Sequence, residues 1–273
     1  MIDLHLHTTA SDGQSAPAAL VDEAAAAGLA IIAVTDHDTV AALAEVRVAA
    51  SVAGLDLVPG IEVTAVAGDR DLHILGYFID ERHVGLAAFL TEQRADRRRR
   101  IAEILERLSD LGVHLAPADV FGREAPGRAI GRPAVARALV ASGHAADIND
   151  AFLRYLGDGG SAFVPRRGAS PETVIALIVD AGGVASIAHP GKSNRDDLLP
   201  TLAARGLGGV EAFHPDHSEA DVARYRAFAE HAGLAVTGGS DYHGPGSGRA
   251  SALGQVTLPE ACYAELRQRA GRG

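Results

Sequence analysis

Two histidines, His5 and His7, stand two positions apart at the start of the chain, within Met1-Ile2-Asp3-Leu4-His5-Leu6-His7. Alternation sets Ile2, Leu4 and Leu6 on one face of a strand and Asp3, His5 and His7 on the other. Imidazoles two residues apart on a strand are about 7 Å from each other along the backbone, close enough to share one ion. Taken alone, the pattern also suits a polar strand edge. The rest of the chain adds Asp12, Thr35-Asp36-His37-Asp38, Gly60-Ile61-Glu62, His73, Ala188-His189-Pro190, Phe213-His214-Pro215 and Gly239-Ser240-Asp241-Tyr242-His243. One buried histidine is usually a hydrogen-bonded structural residue. Nine such groups gathered together (His5, His7, Asp12, His37, Glu62, His73, His189, Asp241 and His243) would cost several kcal/mol in desolvation and repulsion unless cations paired with them. Mixed imidazole and carboxylate donors suit Mn²⁺, Fe²⁺ or Zn²⁺, and the lack of cysteine donors argues against a thiolate zinc site. The donors exceed what one ion uses, so two or three divalent ions are expected.

These residues need a scaffold that brings distant positions to one rim. Short β-rich runs at 2–6, 30–35, 61–67, 72–78, 184–188, 209–213 and 234–237 alternate with Ala-rich amphipathic segments at 17–27, 40–53, 171–181, 196–205 and 219–232. Ser170-Pro171-Glu172, Ser218 and Ser15-Ala16-Pro17 read as helix starts. Alternating β and α predicts a mostly parallel α/β sheet with covered faces, whose strand ends share the ligand-binding side. Between about residues 90 and 167 the alternation stops. A helical stripe of Ile101, Ile104, Leu105 and Leu108 is followed by a Pro/Gly-rich connector and further helices at 133–142 and 148–156. This segment reads as a helical cap, 91–167, inserted into a barrel made of 1–90 and 168–273.

Bulk composition is consistent with that plan. A chain of 273 residues, 47% hydrophobic and without a bilayer-length apolar run, is expected to be soluble and without a membrane partner. Its length suits one barrel. The single cysteine, Cys262, excludes an internal disulfide and fits a reducing cytoplasm, and no basic-then-apolar leader precedes the first strand. A net charge of −10 argues against a surface that traps polyanions. The segment 91–170 carries thirteen arginines against ten Asp and Glu, a local +3 that leaves −13 for the remainder.

The ordered set His5-Leu6-His7, Ser11-Asp12-Gly13, Thr35-Asp36-His37-Asp38, Gly60-Ile61-Glu62, His73, Ala188-His189-Pro190 and Gly239-Ser240-Asp241-Tyr242-His243 resembles the PHP (polymerase and histidinol phosphatase) superfamily of metal-dependent phosphoesterases. The resemblance implies a distorted seven-stranded (β/α) barrel. It also implies one metal held by His5, His7, Glu62 and Asp241, a second by Asp12, His37 and His243, and a third reached through Glu62 by His73 and His189. Within the superfamily the chain is similar to the stand-alone branch of 3′,5′-nucleoside bisphosphate phosphatases, nucleoside monophosphate phosphatases and a 5′→3′ exoribonuclease. The stretches that carry this are Arg97–Ile101, Gly131-Arg132-Pro133, Tyr155-Leu156-Gly157, Phe163-Val164-Pro165 and Phe213-His214-Pro215-Asp216-His217-Ser218. Ala134 stands where that branch commonly has histidine, which bears on the leaving group.

The expected reaction is hydrolysis of a nucleotide phosphate monoester, by in-line attack of a hydroxide shared by two ions. The alternatives are exonuclease action on short RNA, histidinol-phosphate hydrolysis, and a metal-binding module without turnover. No obligate protein partner is evident. Asp241 is the candidate to position the water. Arg132, Lys192 and His214 are candidates for phosphate contact, and His214 also for protonating the leaving group; a solvated surface arginine is the competing reading of Arg132. The run Arg97–Arg100 must point around its helix, so most of it is expected to be solvated. Asp36 and Asp38 are read either as partners of the His37 ring or as helix caps.

Overall fold

Pro59 and Gly60 mark the point at which the sheet changes its plan. The third strand begins parallel to the second, pairing Asp56 with Ile31 and Pro59 with Val34. It continues from Gly60 antiparallel to the fourth, pairing Gly60 with Tyr77 and Ala67 with Arg70. Proline has no N–H to give a ladder, so it suits the residue where one partner is exchanged for another. Gly60 has no room for a side chain, because a Cβ there would lie 2.9 Å from Thr35 Cγ2. The strand runs from Asp56 to Ala67, longer than the expected 61–67, because Pro and Gly in its first half read as breakers.

The structure, a computed structural model, describes residues 1–68, 70–122 and 125–271. Their order is β1 (Ile2–Leu6), α1 (Pro17–Ala26), β2 (Ile31–Val34), α2 (Leu43–Ala53), β3 (Asp56–Ala67), β4 (Arg70–Tyr77), α3 (Val84–Asp110), α4 (Pro117–Phe121), α5 (Arg132–Ala141), α6 (Ile148–Ala151), a π-helical turn (Phe152–Leu156), α7 (Pro171–Asp180), β5 (Val184–Ile187), α8 (Pro190–Ser193), a 3₁₀ turn (Asp196–Leu198), α9 (Leu199–Ala204), β6 (Gly209–Phe213), α10 (Glu219–Ala232), β7 (Ala235–Gly238) and α11 (Glu260–Arg269). Seven strands lie in sequence order in one sheet. A parallel bridge from Leu6 to Tyr242 joins the first edge to the last, with His7 N–H donating to Tyr242 O at 2.9 Å. The fold is an α/β sheet nearly closed into a seven-stranded barrel. β4 runs antiparallel to both β3 and β5, so a wholly parallel arrangement does not hold.

Both faces of β1 are buried along all five residues. Its polar face is covered as well as its apolar one, because a nearly closed barrel leaves no solvated side. Leu6, Ile32 and Val34 pack with Leu20 and Val46 of α1 and α2. Ile61, Ile74, Ile187 and Val210 pack with α7 and α10. A separate apolar cluster lies within 101–164, from Ile101 and Ile104 through Val135 and Leu139 to Val164. α3 spans both bodies: Leu86 and Leu90 join the sheet's core, whereas Ile101, Ile104 and Leu108 join the second cluster. Residues 90 and 91 therefore meet inside one continuous helix. Ser218 caps α10 in a reciprocal capping box with Asp221, and Ser170 caps α7. Ser15 does not cap α1; its hydroxyl donates to the Glu23 carboxylate instead, at 2.7 Å.

Candidate metal centre and its arginine wall

Glu62 sits at the middle of a ring of imidazoles. Its Oε2 is 3.5 Å from His5 Nε2, 3.4 Å from His7 Nε2 and 2.9 Å from His37 Nδ1. Oε1 is 2.9 Å from His73 Nδ1 and 3.1 Å from His189 Nε2. The rings follow one another around it, with centroids 5.1 Å apart for His5–His7, 4.8 Å for His7–His37, 4.9 Å for His37–His73, 5.2 Å for His73–His189 and 5.9 Å for His189–His5. His243 stacks on His7 at 4.1 Å and points Nε2 at Asp12 Oδ1, 3.3 Å away. Asp241 Oδ1 lies 3.3 Å from His5 Nε2 and 3.2 Å from His7 Nε2. All nine residues read from the sequence as ligands stand together, although β4 brings His73 from within an antiparallel strand rather than from a strand end.

The donor atoms form three groups whose members lie within 4.8 Å of one another: His7, Asp12, His37 and His243; His5, His7 and Asp241; and His37, Glu62 and His73. Several are buried without a hydrogen-bond partner, including His5 Nε2, both ring nitrogens of His7, Glu62 Oε2 and His73 Nδ1. Unpaired buried lone pairs are costly, and a divalent cation satisfies several at once. Burial alone would raise the Glu62 carboxyl, yet the charges of His37, His73 and His5 hold it well below its ordinary value. Burial and the charge of His243 push His7 down to about 3, the neutral form that binds metal. The donor set therefore fits divalent ions.

Second partners aim these side chains, and sequence reading missed the principal one. Glu211 Oε1 accepts from His5 Nδ1 at 2.8 Å, which fixes the tautomer and leaves Nε2 for a ligand. Its Oε2 accepts from His189 N–H at 2.7 Å. A fully buried glutamate inside the apolar strand Gly-Val-Glu-Ala-Phe was the available signal. Asp3 accepts from the N–H groups of His5 and Ser240. A Cβ on Gly239 would strike the His5 backbone and lie 2.6 Å from Asp3 Oδ1, so only glycine lets the chain just after β7 come this close. Asp38, His189 and Asp241 hold positive φ angles of 51°, 30° and 50°, conformations that cost non-glycine residues about 1 kcal/mol or more and concentrate at functional sites.

Other expected contacts are placed differently. Asp36 accepts from Thr8 N–H and from the Thr8 and Ser11 hydroxyls, holding the loop after β1. Asp38 accepts from Thr64 N–H and Arg97 Nε. Neither aspartate caps a helix or touches the His37 ring. His214 is buried behind Asp241: its Nδ1 accepts from Asp216 N–H at 3.1 Å, which puts the proton on Nε2, 3.3 Å from Asp241 Oδ2. It does not line the cavity; the hydrogen-bond partner of its Nε2 is Asp241. Arg249 Nε is 3.0 Å from the same Asp241 oxygen, while its Nη2 lies 2.5 Å from Asp216.

The ring opens into a cavity of about 1040 Å³ lined by Asp12, His37, Glu62, His73, His189, Asp241 and His243, and on another side by arginines. Arg97 and Arg100 are buried within this wall, contrary to the expectation of solvated side chains. Their helix is covered on that face by the loop that carries Val164, whose carbonyl accepts from Arg100 Nε at 2.8 Å. Arg99 instead pairs with Asp96 and Glu103 on the outer face. Arg132 and Lys192 line the cavity as expected. Arg132 donates to Leu156 O at 3.2 Å and Asp71 Oδ2 at 3.4 Å; Lys192 Nζ is 3.5 Å from Asp216 Oδ2. Arg166, which also lines it, was not singled out in the sequence.

Residues 3–123 match the PHP domain model. The chain is 35% identical over 274 residues to a 3′,5′-nucleoside bisphosphate phosphatase of Chromobacterium violaceum, covering 96% of this chain and 93% of that protein. It is 36% identical over 248 residues to a 5′-3′ exoribonuclease of Haemophilus influenzae, covering 89% and 90%. A crystal structure described as a metal-dependent phosphoesterase from Bifidobacterium adolescentis superimposes with a TM-score of 0.91 at 34% identity, covering 98% of this chain and 96% of that one. A nearly closed seven-stranded α/β sheet with imidazoles and carboxylates gathered at one rim is the frame of a metal-dependent phosphoesterase, a hydrolase. The chain belongs to the PHP family. No helix among the described residues is long and apolar enough to cross a membrane.

Proposed function

We propose that this phosphoesterase hydrolyses a nucleotide phosphate monoester, with a 3′,5′-nucleoside bisphosphate as its preferred substrate. The observation that carries the reading is the imidazole ring around Glu62 opening onto a large cavity whose lining is also rich in arginine. The C. violaceum relative, similar over nearly the whole chain, supports this substrate class. His5, His7, Glu62 and Asp241 would hold one ion, Asp12, His37 and His243 a second, and His73 and His189 with Glu62 a third, as Mn²⁺, Fe²⁺ or Zn²⁺. Such ions, when bound, neutralise phosphoryl oxygens and bring the pKa of water toward neutrality.

The chain's own groups do the rest. Asp241, steadied by His214 and Arg249, accepts a hydrogen bond from the attacking water and orients it. Arg132 and Lys192 attract the phosphate to the cavity. Residues 91–167 form a cap over a barrel of 1–90 and 168–273, a division supported by the separate apolar cluster. We place the enzyme in the cytoplasm, where its lone Cys262 stays reduced.

Phosphate release should be measured with adenosine 3′,5′-bisphosphate, AMP and a 5′-phosphorylated oligonucleotide, after loading with each metal. Preference for the bisphosphate is expected. The absence of turnover on all three, with any of the metals, would overturn the proposal. The exoribonuclease reading is carried by the H. influenzae relative; stepwise shortening of the oligonucleotide would favour it. Among the described residues Phe152 is the one Phe, Tyr or Trp lining the cavity, which offers little stacking for a run of bases.

A further inference from the structure

The turn after β5 is strained at the residue that carries a candidate ligand. His189 precedes a proline, a position that favours extended backbone, yet it holds φ 30° and ψ 56°. A left-handed residue other than glycine persists only where its surroundings fix it. Hydrogen bonds along the turn do so. His189 N–H donates to Glu211 Oε2 at 2.7 Å, Lys192 N–H to His189 O at 3.0 Å, and Gly191 N–H to His217 Nε2 at 3.2 Å.

The last of these ends on a side chain with no part so far in the site. Gly191 lies in the first turn of α8, where N–H groups have no partner within the helix. His217 supplies the acceptor because its other nitrogen is committed. Nδ1 is 2.9 Å from Ala212 O, a carbonyl that can only accept. The proton is therefore on Nδ1, and Nε2 keeps its lone pair. Burial, helped by the charge of His214, holds the ring below its ordinary imidazole value, against the pull of the Ala212 carbonyl, Glu211 and Asp221. Packing keeps the ring in place. A Cβ on Gly191 would lie 2.9 Å from His217 Cδ2, and the Tyr225 ring centre is 5.1 Å away. Tyr225 in turn donates to Asp196 Oδ1 at 3.0 Å, which ties α10 to the 3₁₀ turn beyond α8. Both ends of the held turn serve the same cavity. His189 Nε2 is 3.1 Å from Glu62 Oε1, and Lys192 lines the cavity three residues later.

We propose that His217 is a positioning residue: its neutral ring, protonated on Nδ1, holds the turn 189–193 through Gly191 N–H and so places His189 for the metal and Lys192 for the phosphate. It touches neither substrate nor ion. The roles of His189 and Lys192 rest on the reading given under Proposed function; the hold on the turn does not.

The ring itself is tested first, in metal-stripped whole protein, by long-range ¹H–¹⁵N correlation of the imidazoles at pH 7. The Nδ1-protonated neutral tautomer is expected for His217; an Nε2-protonated or cationic ring would overturn the proposal. Metal content after dialysis and steady-state kinetics on adenosine 3′,5′-bisphosphate are then compared across variants. His217→Ala should weaken retention of the most loosely held ion at least about tenfold, the usual scale for losing a group that orients a ligand. It should also raise KM at least about threefold, whereas a protein that is merely less stable loses kcat at unchanged KM. His217→Gln, whose amide oxygen can accept from Gly191, should recover most of both losses. Ser218→Ala, the next residue, removes the cap of α10 but neither ring bond, and should keep both readouts at their starting values. A change in one readout alone assigns the hold to His189 or to Lys192. Metal retention and KM that both survive His217→Ala, or a folded His217→Gln that recovers neither, would overturn the proposal. No turnover on any phosphoester, with metal retention still sensitive to His217→Ala, would remove the functional reading and leave the positioning role standing.

Discussion

The imidazole rim and the arginine wall are opposite kinds of incomplete site. At the rim, buried ring nitrogens and a carboxylate oxygen lack hydrogen-bond partners: both nitrogens of His7 and Oε2 of Glu62. At the wall, donors outnumber acceptors, and Arg166 leaves two N–H groups over. The rim's imidazoles and carboxylates suit cations, and the wall's guanidinium groups suit an anion. They differ as well in how they are held. Rim residues sit on strands, or just beyond them, with second partners such as Glu211 and Asp3 setting their angles. The wall comes from α3, the start of α5 and the loop at 164–166, and it meets the sheet through Asp38, Thr64 and Asp71. Rigid support belongs where a reaction requires sub-ångström placement; a longer-range, charge-driven contact tolerates side chains mounted on a helical insertion.

Removing the rim's ions with a chelator separates the two regions most sharply. Hydrolysis should fall below detection and return with Mn²⁺, Zn²⁺ or Fe²⁺, while phosphate binding at the wall persists. The melting temperature should fall too, because each ion present at a hundred times its Kd stabilises the folded chain by about 2.7 kcal/mol. A chelated protein that kept full activity would break the comparison.

Glu211→Gln probes the rim's support without replacing a candidate ligand. Loss of the buried carboxylate on His5 should reduce metal affinity or activity roughly 10- to 100-fold, read by metal content after dialysis. Binding of phosphate to the arginines should be unchanged; if it weakened in step, the two regions would not be separable. The smallest effect is expected far from both. Ser218→Ala removes the capping box of α10 and should cost about 1 kcal/mol of stability in a denaturant melt, with metal content and KM unaltered.

How much of this was legible beforehand depended on how rare each residue type is. His5, His7, His37, His73, His189 and His243 are among only twelve histidines in the chain, so their recurrence near strands stood out. Arg100 and Arg166 are among twenty-five lysines and arginines; the run Arg97–Arg100 suited a solvated helix face, and nothing in the sequence marked Arg166. Glu211 was one letter in an apolar run. The antiparallel turn of β4 was hidden because β3 looks broken at Pro59-Gly60, where it merely changes partners.

Side-chain chemistry and period are local properties. The sequence by itself therefore determined that histidines and carboxylates would fall beside short strands, that helices would lie between them, and that an arginine-rich helical stretch would interrupt the series. Which groups meet is a matter of long-range geometry. Only the tertiary structure decided that Glu62 would be the hub of the ring, that His214 would stand behind Asp241 rather than in the cavity, and that Arg100, Arg132 and Arg166 would converge on Asp71. The physical reason is closure of the sheet. Joining Leu6 to Tyr242 brings residues more than two hundred positions apart into contact, and no local pattern records that distance.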